Sequence, residues 1–446
     1  MVNSGDTAWV LVASALVMLM TPGLAFFYGG LVRNKNVLST IMQSLTVIGV
    51  VTVIWVLVGY SLAFGPDHGG FIGGLDWFGL RGVGQAPNPE YAATIPQQAF
   101  MLFQMMFAII TPALITGAFA ERAKFGTFVV FTALWSVLVY APVAHWVWSP
   151  HGWLHSLGAL DFAGGTVVHV NAGAAALAAA IFYGRRIGYG RDPMEPHDIT
   201  MVVLGAALLW FGWFGFNAGS ALTSGGLATS AFVATHVAAA AAALSWTLLS
   251  RIVLGKSSIV GAASGAVAGL VAITPASGFV GPMAALAIGA GAGAICFAAV
   301  RVRARFAVDD SLDVVGVHGV GGAWGALATG LFATVAVNAA GGNGLFHGNP
   351  GQLWTQLLAV LATGGYSFVV TAGLLKLLDL ALGLRVSREE EAIGVDVALH
   401  GERAYNLDDL AVGAPAAPAL AHVRPSEHGR PAEASGELSA SVGARL

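Results

Sequence analysis

Charge is what this 446-residue chain has least of: Asp, Glu, Lys and Arg together make up 10% of it. A soluble domain carries about a quarter charged residues, so a water-facing surface cannot be built from this few. Disorder is excluded for the chain as a whole, because it needs high charge and low hydrophobicity. Cysteine is all but missing. The single Cys296 excludes an intramolecular disulfide framework and any cysteine-based metal cluster. A net charge of -3 supplies no basic field for nucleic acid. There is no Walker A motif, dinucleotide fingerprint or zinc-protease motif, so no enzyme class is suggested and no cofactor is expected. What is present is apolar: 56% hydrophobic residues and a mean hydropathy of +0.75. Sixty glycines in such a chain point to closely packed helices, since small residues let backbones approach in lipid. The class is an all-α polytopic membrane protein, with membrane lipid as its surroundings.

Apolar stretches of roughly 20 residues cross a bilayer as helices. Eleven are predicted, near 9–28, 41–64, 100–120, 125–148, 162–183, 199–218, 228–254, 259–274, 281–300, 314–337 and 353–375. The eighth is short and interrupted. No Lys or Arg precedes the first, so it lacks the basic flank of a secretory signal and is expected to be retained. One set of connections holds Arg33, Lys35, Arg122, Lys124, Arg185, Arg186, Arg191, Arg251, Lys256, Arg301, Arg303 and Arg305, whereas the alternate set holds only Arg81. Basic loops stay cytoplasmic, so the N-terminus is expected outside and the C-terminus inside. Residues 1–385 form the membrane domain and 386–446 a cytoplasmic tail, expected to be disordered beyond about 412, where Ala, Pro, Gly and Ser dominate.

Two halves of the chain resemble each other. Asp161 precedes His169 by the same spacing as Asp310 precedes His318, and Val168, Gly173 and Ala174 match Val317, Gly322 and Ala323. Ile110-Thr111-Pro112 recurs as Ile273-Thr274-Pro275. Helices one to five and six to ten thus read as two copies. Five is odd, so the copies are oppositely oriented, and the eleventh helix lies outside the repeat. Inverted repeats of this kind hold a substrate path near midplane at their interface.

Each repeat carries an intramembrane histidine, His169 and His318. Ionisable residues at that depth face the bundle interior, and an inverted repeat brings these two together at its centre. Two neutral imidazoles in contact share one hydrogen bond and leave a donor and an acceptor for a small polar solute. A lone histidine would more simply be a core residue bonded to a carbonyl, but a symmetric pair favours function. Asp161 lies at the outer end of its helix, about 12 Å along the axis from His169, and serves either to cap the helix or to stabilise a cation at the mouth. Asp310 and Asp313 are expected to cap the tenth helix.

Aromatic side chains supply a second device for cations. Phe103 and Phe107 are four apart on the third helix, Trp148 ends the fourth, and Phe216 and Ser220 end the sixth. Aromatic faces plus a hydroxyl can bind a small cation, although any one of these rings alone reads as an interfacial anchor. His151 and His155 lack a third ligand and read as loop residues, and His145 and His236 as structural ones, so no metal site is expected.

With these residues together, the chain closely resembles the ammonium transporter family, the Amt branch of the Amt/Rh superfamily. The resemblance runs from about Asp6 to Tyr405. It is carried by Asp161-Phe162-Ala163-Gly164-Gly165-Thr166-Val167-Val168-His169, by Ala120-Glu121-Arg122, by 213–220 and by Asp313-Val314-Val315-Gly316-Val317-His318-Gly319. It implies an eleven-helix fold, assembly as a homotrimer in the plasma membrane, and uptake of ammonium as a nitrogen source. It also implies that Phe103, Phe107, Trp148 and Ser220 recruit ammonium, that Phe107 and Phe216 obstruct the path, and that His169 and His318 are its twin histidines. Asp161 falls on an outer acidic residue needed for activity. The tail, at 383–387, 394–396 and 400–402, resembles a segment that contacts neighbouring subunits, and a PII-type signal protein is the implied partner there. The implied transport deprotonates ammonium and passes ammonia, with or without the proton. Two other readings compete: a Rhesus-type neutral gas channel, which Trp148 and Ser220 disfavour, and an ammonium sensor signalling through the tail.

Overall fold

The computed structural model describes residues 1–303, 305–306 and 308–405. Helices dominate. They are α1 (Ser4–Leu31), α2 (Asn34–Phe64) and α3 (Gln97–Phe119), followed by α4, which runs unbroken through Phe125–Trp135, Ser136–Tyr140 and Ala141–Trp148. Next come α5 (Gly165–Tyr183), α6 (Ile199–Gly219), α7 (Gly226–Leu254), α8 (Ile259–Ile273) and α9 (Pro282–Arg303). The tenth, α10, joins Val315–Gly319 to Val320–Phe332, and α11 is Gly351–Leu382. Each of the eleven stretches expected from hydropathy thus contains a helix, although the tenth stops at Phe332 and not at 337. Among the described residues nine are long and apolar enough to span a bilayer. Neither α8 nor α10 is among those nine, and α8 is the helix the sequence marks as short. A small hairpin, β1 (Asp67–His68) with β2 (Ile72–Gly73), closes the connection after α2.

Tight helix contacts follow from glycine. A Cβ on Gly205 of α6 would overlap the Phe27 backbone of α1, and one on Gly289 of α9 would overlap Ala238 of α7. Substitution there has no side-chain motion to relieve it, because the clashing atoms are main chain. Glycine serves loops as well, with fourteen glycines at positive φ among the described residues, so close helix packing accounts for only part of the sixty.

Four of the five basic connections, those of Arg33, Arg122, Arg186 and Arg303, meet at one end of the molecule. Glu121, buried and held at φ 75, pairs with Arg33 and with Arg186 at 3.5 Å, and Arg186 also grips Asp309 at 2.8 Å. Burial alone would raise the Glu121 carboxyl, but Arg186 and Arg33 outweigh it and hold it below its usual range. Fully buried Arg122 donates to the carbonyls of Ala118 and Asp309. The tail returns to the same end. Val386 N donates to Arg122 O, Arg385 pairs with Glu391, and the Asp396 carboxylate caps α2 by accepting from Leu38 and Ser39 N. Residues 386–404 thus lie in one compact unit with the helices. The tail's charged stretch forms α12 (Arg388–Ile393), and the region expected to be disordered beyond 412 lies outside the described residues.

Asp310, ahead of α10, yields a pH prediction. It is fully buried, its Oδ2 accepts from Val315 N at 2.8 Å, and its Oδ1 has no partner. Burial, and after it the neighbouring Asp313, push the carboxyl up to about 7 against the pull of Arg303. A carboxyl raised in the folded state holds its proton longer there than in the unfolded chain. Its contribution to stability is therefore greatest below the unfolded value of about 3.9, falls as pH rises through about 7, and is flat above. Asp310→Asn keeps an acceptor for Val315 and removes the titration. Thermal midpoints between pH 5 and 8 should decline in the parent and decline less in the variant. Equal slopes would remove Asp310 as the cause.

Candidate functional site

The two histidines sit on matching irregular turns. His169 lies in the π-helical Gly165–Val170 that opens α5, and His318 in the π-helical Val315–Gly319 that opens α10. π-Turns redirect a side chain that a regular helix would carry elsewhere. A positive-φ residue lies five positions before each histidine, Gly164 (φ 111) and Asp313 (φ 59). The imidazoles meet with Nδ1 to Nδ1 at 3.3 Å, and both are buried.

Their approach depends on glycines that the repeat also shares. A Cβ at Gly173 would overlap the backbone of Gly319, and one at the equivalent Gly322 would lie 2.8 Å from His169 Cβ and 3.0 Å from Val170 N. Residue 319 is the repeat equivalent of residue 170, so each repeat's glycine receives the other's histidine turn. That reciprocity is the contact pattern of two elements related by a two-fold.

Further groups fix the His169 ring. Trp213 stacks on it at 5.4 Å between centroids and Phe216 at 6.1 Å. The Trp213 indole is tied by its N–H to Thr274 Oγ1 at 2.9 Å, which gives one copy of the repeated Ile-Thr-Pro a use. Both threonines of that motif also bond back one turn, Thr111 to Phe107 O and Thr274 to Leu270 O. His169 Nε2 is buried and has no protein partner.

Three spaces lie in series around this pair. An outer cavity of about 300 Å³ is lined by Phe100, Gln104, Phe107, Trp148, Phe162 and Ser220, with Glu90, Tyr91 and His155 also on its wall. A pocket of about 10 Å³, lined by Phe216, Trp213, His169 and His318, is no larger than about one water-sized probe. An inner cavity of about 340 Å³ takes His318, Phe27 and Val267 as shared walls and is rimmed by Arg186, Tyr189 and Asp313. The Phe107 and Phe216 rings, 4.3 Å apart, separate the first space from the second.

The structure places the expected outer residues unevenly. Phe107, Trp148 and Ser220 line the outer cavity, with Trp148 edge-on to Phe107 at 5.6 Å. Ser220 donates its hydroxyl hydrogen to Phe216 O at 2.9 Å, which leaves its lone pairs to accept. Phe103 is not on that wall. It is fully buried, edge-on to Phe107 and against Gly219. Asp161 is not on it either. Its carboxylate accepts from Gly164, Gly165, Thr166 and Val167 N and from the Thr166 hydroxyl, while its carbonyl accepts from the Trp148 indole.

The sequence reading missed Gln104. The stripe of α3 that lines the cavity is Phe100, Gln104 and Phe107, spaced four and three apart, and Gln104 Oε1 is buried there without a partner. The signal was present, because an amide in an apolar run is costly unless it has work. Of the loop and core histidines, His145 bonds Ala63 O and Asp67, and His236 lies against Trp210 and Phe214. His155 reaches the outer cavity. No group of metal-ligating side chains occurs among the described residues.

Comparison with known proteins finds similar chains along most of the length. The family model described as "Ammonium Transporter Family" matches residues 8–405. An ammonium transporter of Bacillus subtilis is 53% identical over 402 residues, covering 90% of this chain and 98% of that one. Among solved structures, Mep2 of Candida albicans superposes with a TM-score of 0.83 at 39% identity, covering 87% and 88% of the two chains. A protein described as a sensor Amt protein gives a TM-score of 0.82 at 33% identity, covering 89% and 98%.

Proposed function

We propose a route for the substrate of this chain, which belongs to the ammonium transporter family. The chain is a multi-pass membrane protein that transports ammonium and not an enzyme. The observation that carries the route is the serial arrangement of the three spaces about one histidine pair. Ammonium enters the outer cavity and exchanges water for the Trp148 and Phe107 faces and for acceptors at Ser220 and Gln104. The ion is not carried further intact, because an unpaired charge in an apolar passage costs far more than a neutral amine. Ammonia passes when the two phenylalanine rings part.

The histidines receive it with complementary atoms. One hydrogen lies between the two Nδ1 atoms. Whichever ring donates it presents a bare Nε2, and the other ring presents Nε2–H. Ammonia both donates and accepts, so it is matched at each ring in turn. A proton delivered to the bare Nε2, passage of the shared hydrogen to the other Nδ1 and loss of that second ring's Nε2–H proton together reverse the two roles with both rings neutral again, which gives a proton a way across. Potassium has no proton to release and is refused at the rings. A proton that follows ammonia through the pair gives an ammonium-evoked current in proteoliposomes, and a proton returned outside gives none.

Uptake of labelled methylammonium tests the route. His169→Ala and His318→Ala should each cut uptake below about a tenth, since each leaves a buried polar partner unpaired, at about 1–3 kcal/mol. No uptake by the intact protein would overturn the reading. Trp148→Leu should raise the KM about tenfold while the chain still folds, from loss of a desolvated cation–π contact worth up to about 2 kcal/mol. An unchanged KM would move recruitment elsewhere and favour a neutral gas channel. The chain is also proposed to assemble as a homotrimer and to present its tail face to a PII-type protein. Cross-linking in native membranes and pull-down under varied nitrogen supply test these, with a monomer or no captured PII protein as the adverse results.

A further inference from the structure

Beside the inner mouth lies a second, larger space that the route does not use. It measures about 630 Å³ and is walled by the 185–192 connection and by tail residues 385–388. Five guanidinium groups line it, those of Arg185, Arg186, Arg191, Arg385 and Arg388, against the single carboxylate of Asp192. Arg186 is already matched by Asp309 and Glu121, and Arg385 by Glu391. Setting Arg185 against Asp192 leaves Arg191 and Arg388. Both are exposed, and neither has an ion pair among the described residues. Glu390 is turned back to its own helix cap at Ser387, and Glu389 is not on the wall. The cavity thus carries about two uncompensated positive charges on a side chain whose planar fork fits phosphate oxygens two at a time.

We propose that this cavity binds a soluble di- or triphosphate anion, bridging the 185–192 connection and the tail. A phosphodiester headgroup carries one charge and would leave the excess half neutralised, whereas a diphosphate or triphosphate neutralises it in full and has oxygens enough to reach both segments at once. Arg186, Tyr189 and Asp192 wall both this cavity and the inner cavity below His318. The occupant would therefore press on the partition that shapes the inner mouth. Binding itself does not depend on the transport route.

The test uses the full chain in phosphatidylcholine nanodiscs titrated with inorganic tripolyphosphate, pyrophosphate and orthophosphate. Saturable binding is expected for tripolyphosphate and pyrophosphate and at least tenfold weaker binding for orthophosphate. Arg191→Gln with Arg388→Gln should weaken tripolyphosphate at least tenfold while the thermal midpoint and ligand-free methylammonium uptake stay at parental values. Hydrogen exchange should slow in both 185–192 and 385–388 on binding. No saturable binding, binding indifferent to the double variant, or protection in neither segment overturns the proposal. Loss of tripolyphosphate binding when phosphatidylglycerol is added to the nanodiscs assigns the cavity to lipid and overturns it equally.

Discussion

Gly173→Ala should reduce methylammonium uptake about a hundredfold, although on propensity alone it should help α5. Alanine in place of glycine in a helix gains about 1 kcal/mol. Here the new Cβ would overlap the main chain of Gly319, one residue from His318. Overpacking of this kind costs roughly 1–3 kcal/mol even where side chains can yield, and here the obstacle is backbone. The turn carrying His318 must therefore shift. The Nδ1 atoms, 3.3 Å apart, have no slack for it, and displacement of about 1 Å commonly costs a hundredfold where function depends on near contact. Gly322→Ala should behave alike, because its Cβ meets His169 and Val170 in the reciprocal contact. Gly364→Ala on α11 is the control: its Cβ would lie 3.5 Å from Val170 Cγ1, an ordinary contact, and uptake should stay within about twofold. Parental uptake in Gly173→Ala would show that the histidine spacing is not limiting.

That contact also shows what sequence could and could not disclose. The equal spacing of Asp161 to His169 and Asp310 to His318 was enough to pair the histidines, because a repeat with an odd number of helices must invert. Gly173 and Gly322 were visible as repeat identities but not as contacts. Nothing in a linear pattern says which backbone a glycine faces. The π-turns were equally hidden, since a one-residue widening leaves the apolar run unchanged and is settled by the cap and the partner helix. The outer wall failed for a related reason. Four-residue spacing placed Phe103 and Phe107 on one face, and they do touch. A helix has several such faces, however, and only the surrounding helices decide that Phe100, Gln104 and Phe107 look into the cavity. Charge placement carried furthest. Arg33, Arg122, Arg186 and Arg303, assigned to one side from loop counts alone, converge at the same end in a network with Glu121, Asp309, Ser311 and Asp313.

Asp161→Asn should abolish uptake by loosening the His169 turn and not by removing a charge that ammonium feels. The carboxylate receives four backbone N–H groups, at 2.7, 2.6, 2.7 and 3.2 Å, together with the Thr166 hydroxyl. An amide offers a single oxygen and turns its own N–H bonds toward those donors. Charged hydrogen bonds contribute about 1.5–3 kcal/mol each, so losing two of the four costs about 3–6 kcal/mol. The turn they hold is the one that aims His169 at His318. A lowered thermal midpoint and uptake below about a hundredth of the parent are expected together. Asp161→Glu separates the two roles. It keeps the negative charge, but its extra methylene does not fit a group this buried and moves the oxygens off the N–H groups. If the acid acted on ammonium through its field, Glu would restore capture. If it acts as the clamp of the histidine turn, Glu should fail nearly as badly as Asn, and a Glu variant with parental uptake would sink the clamp.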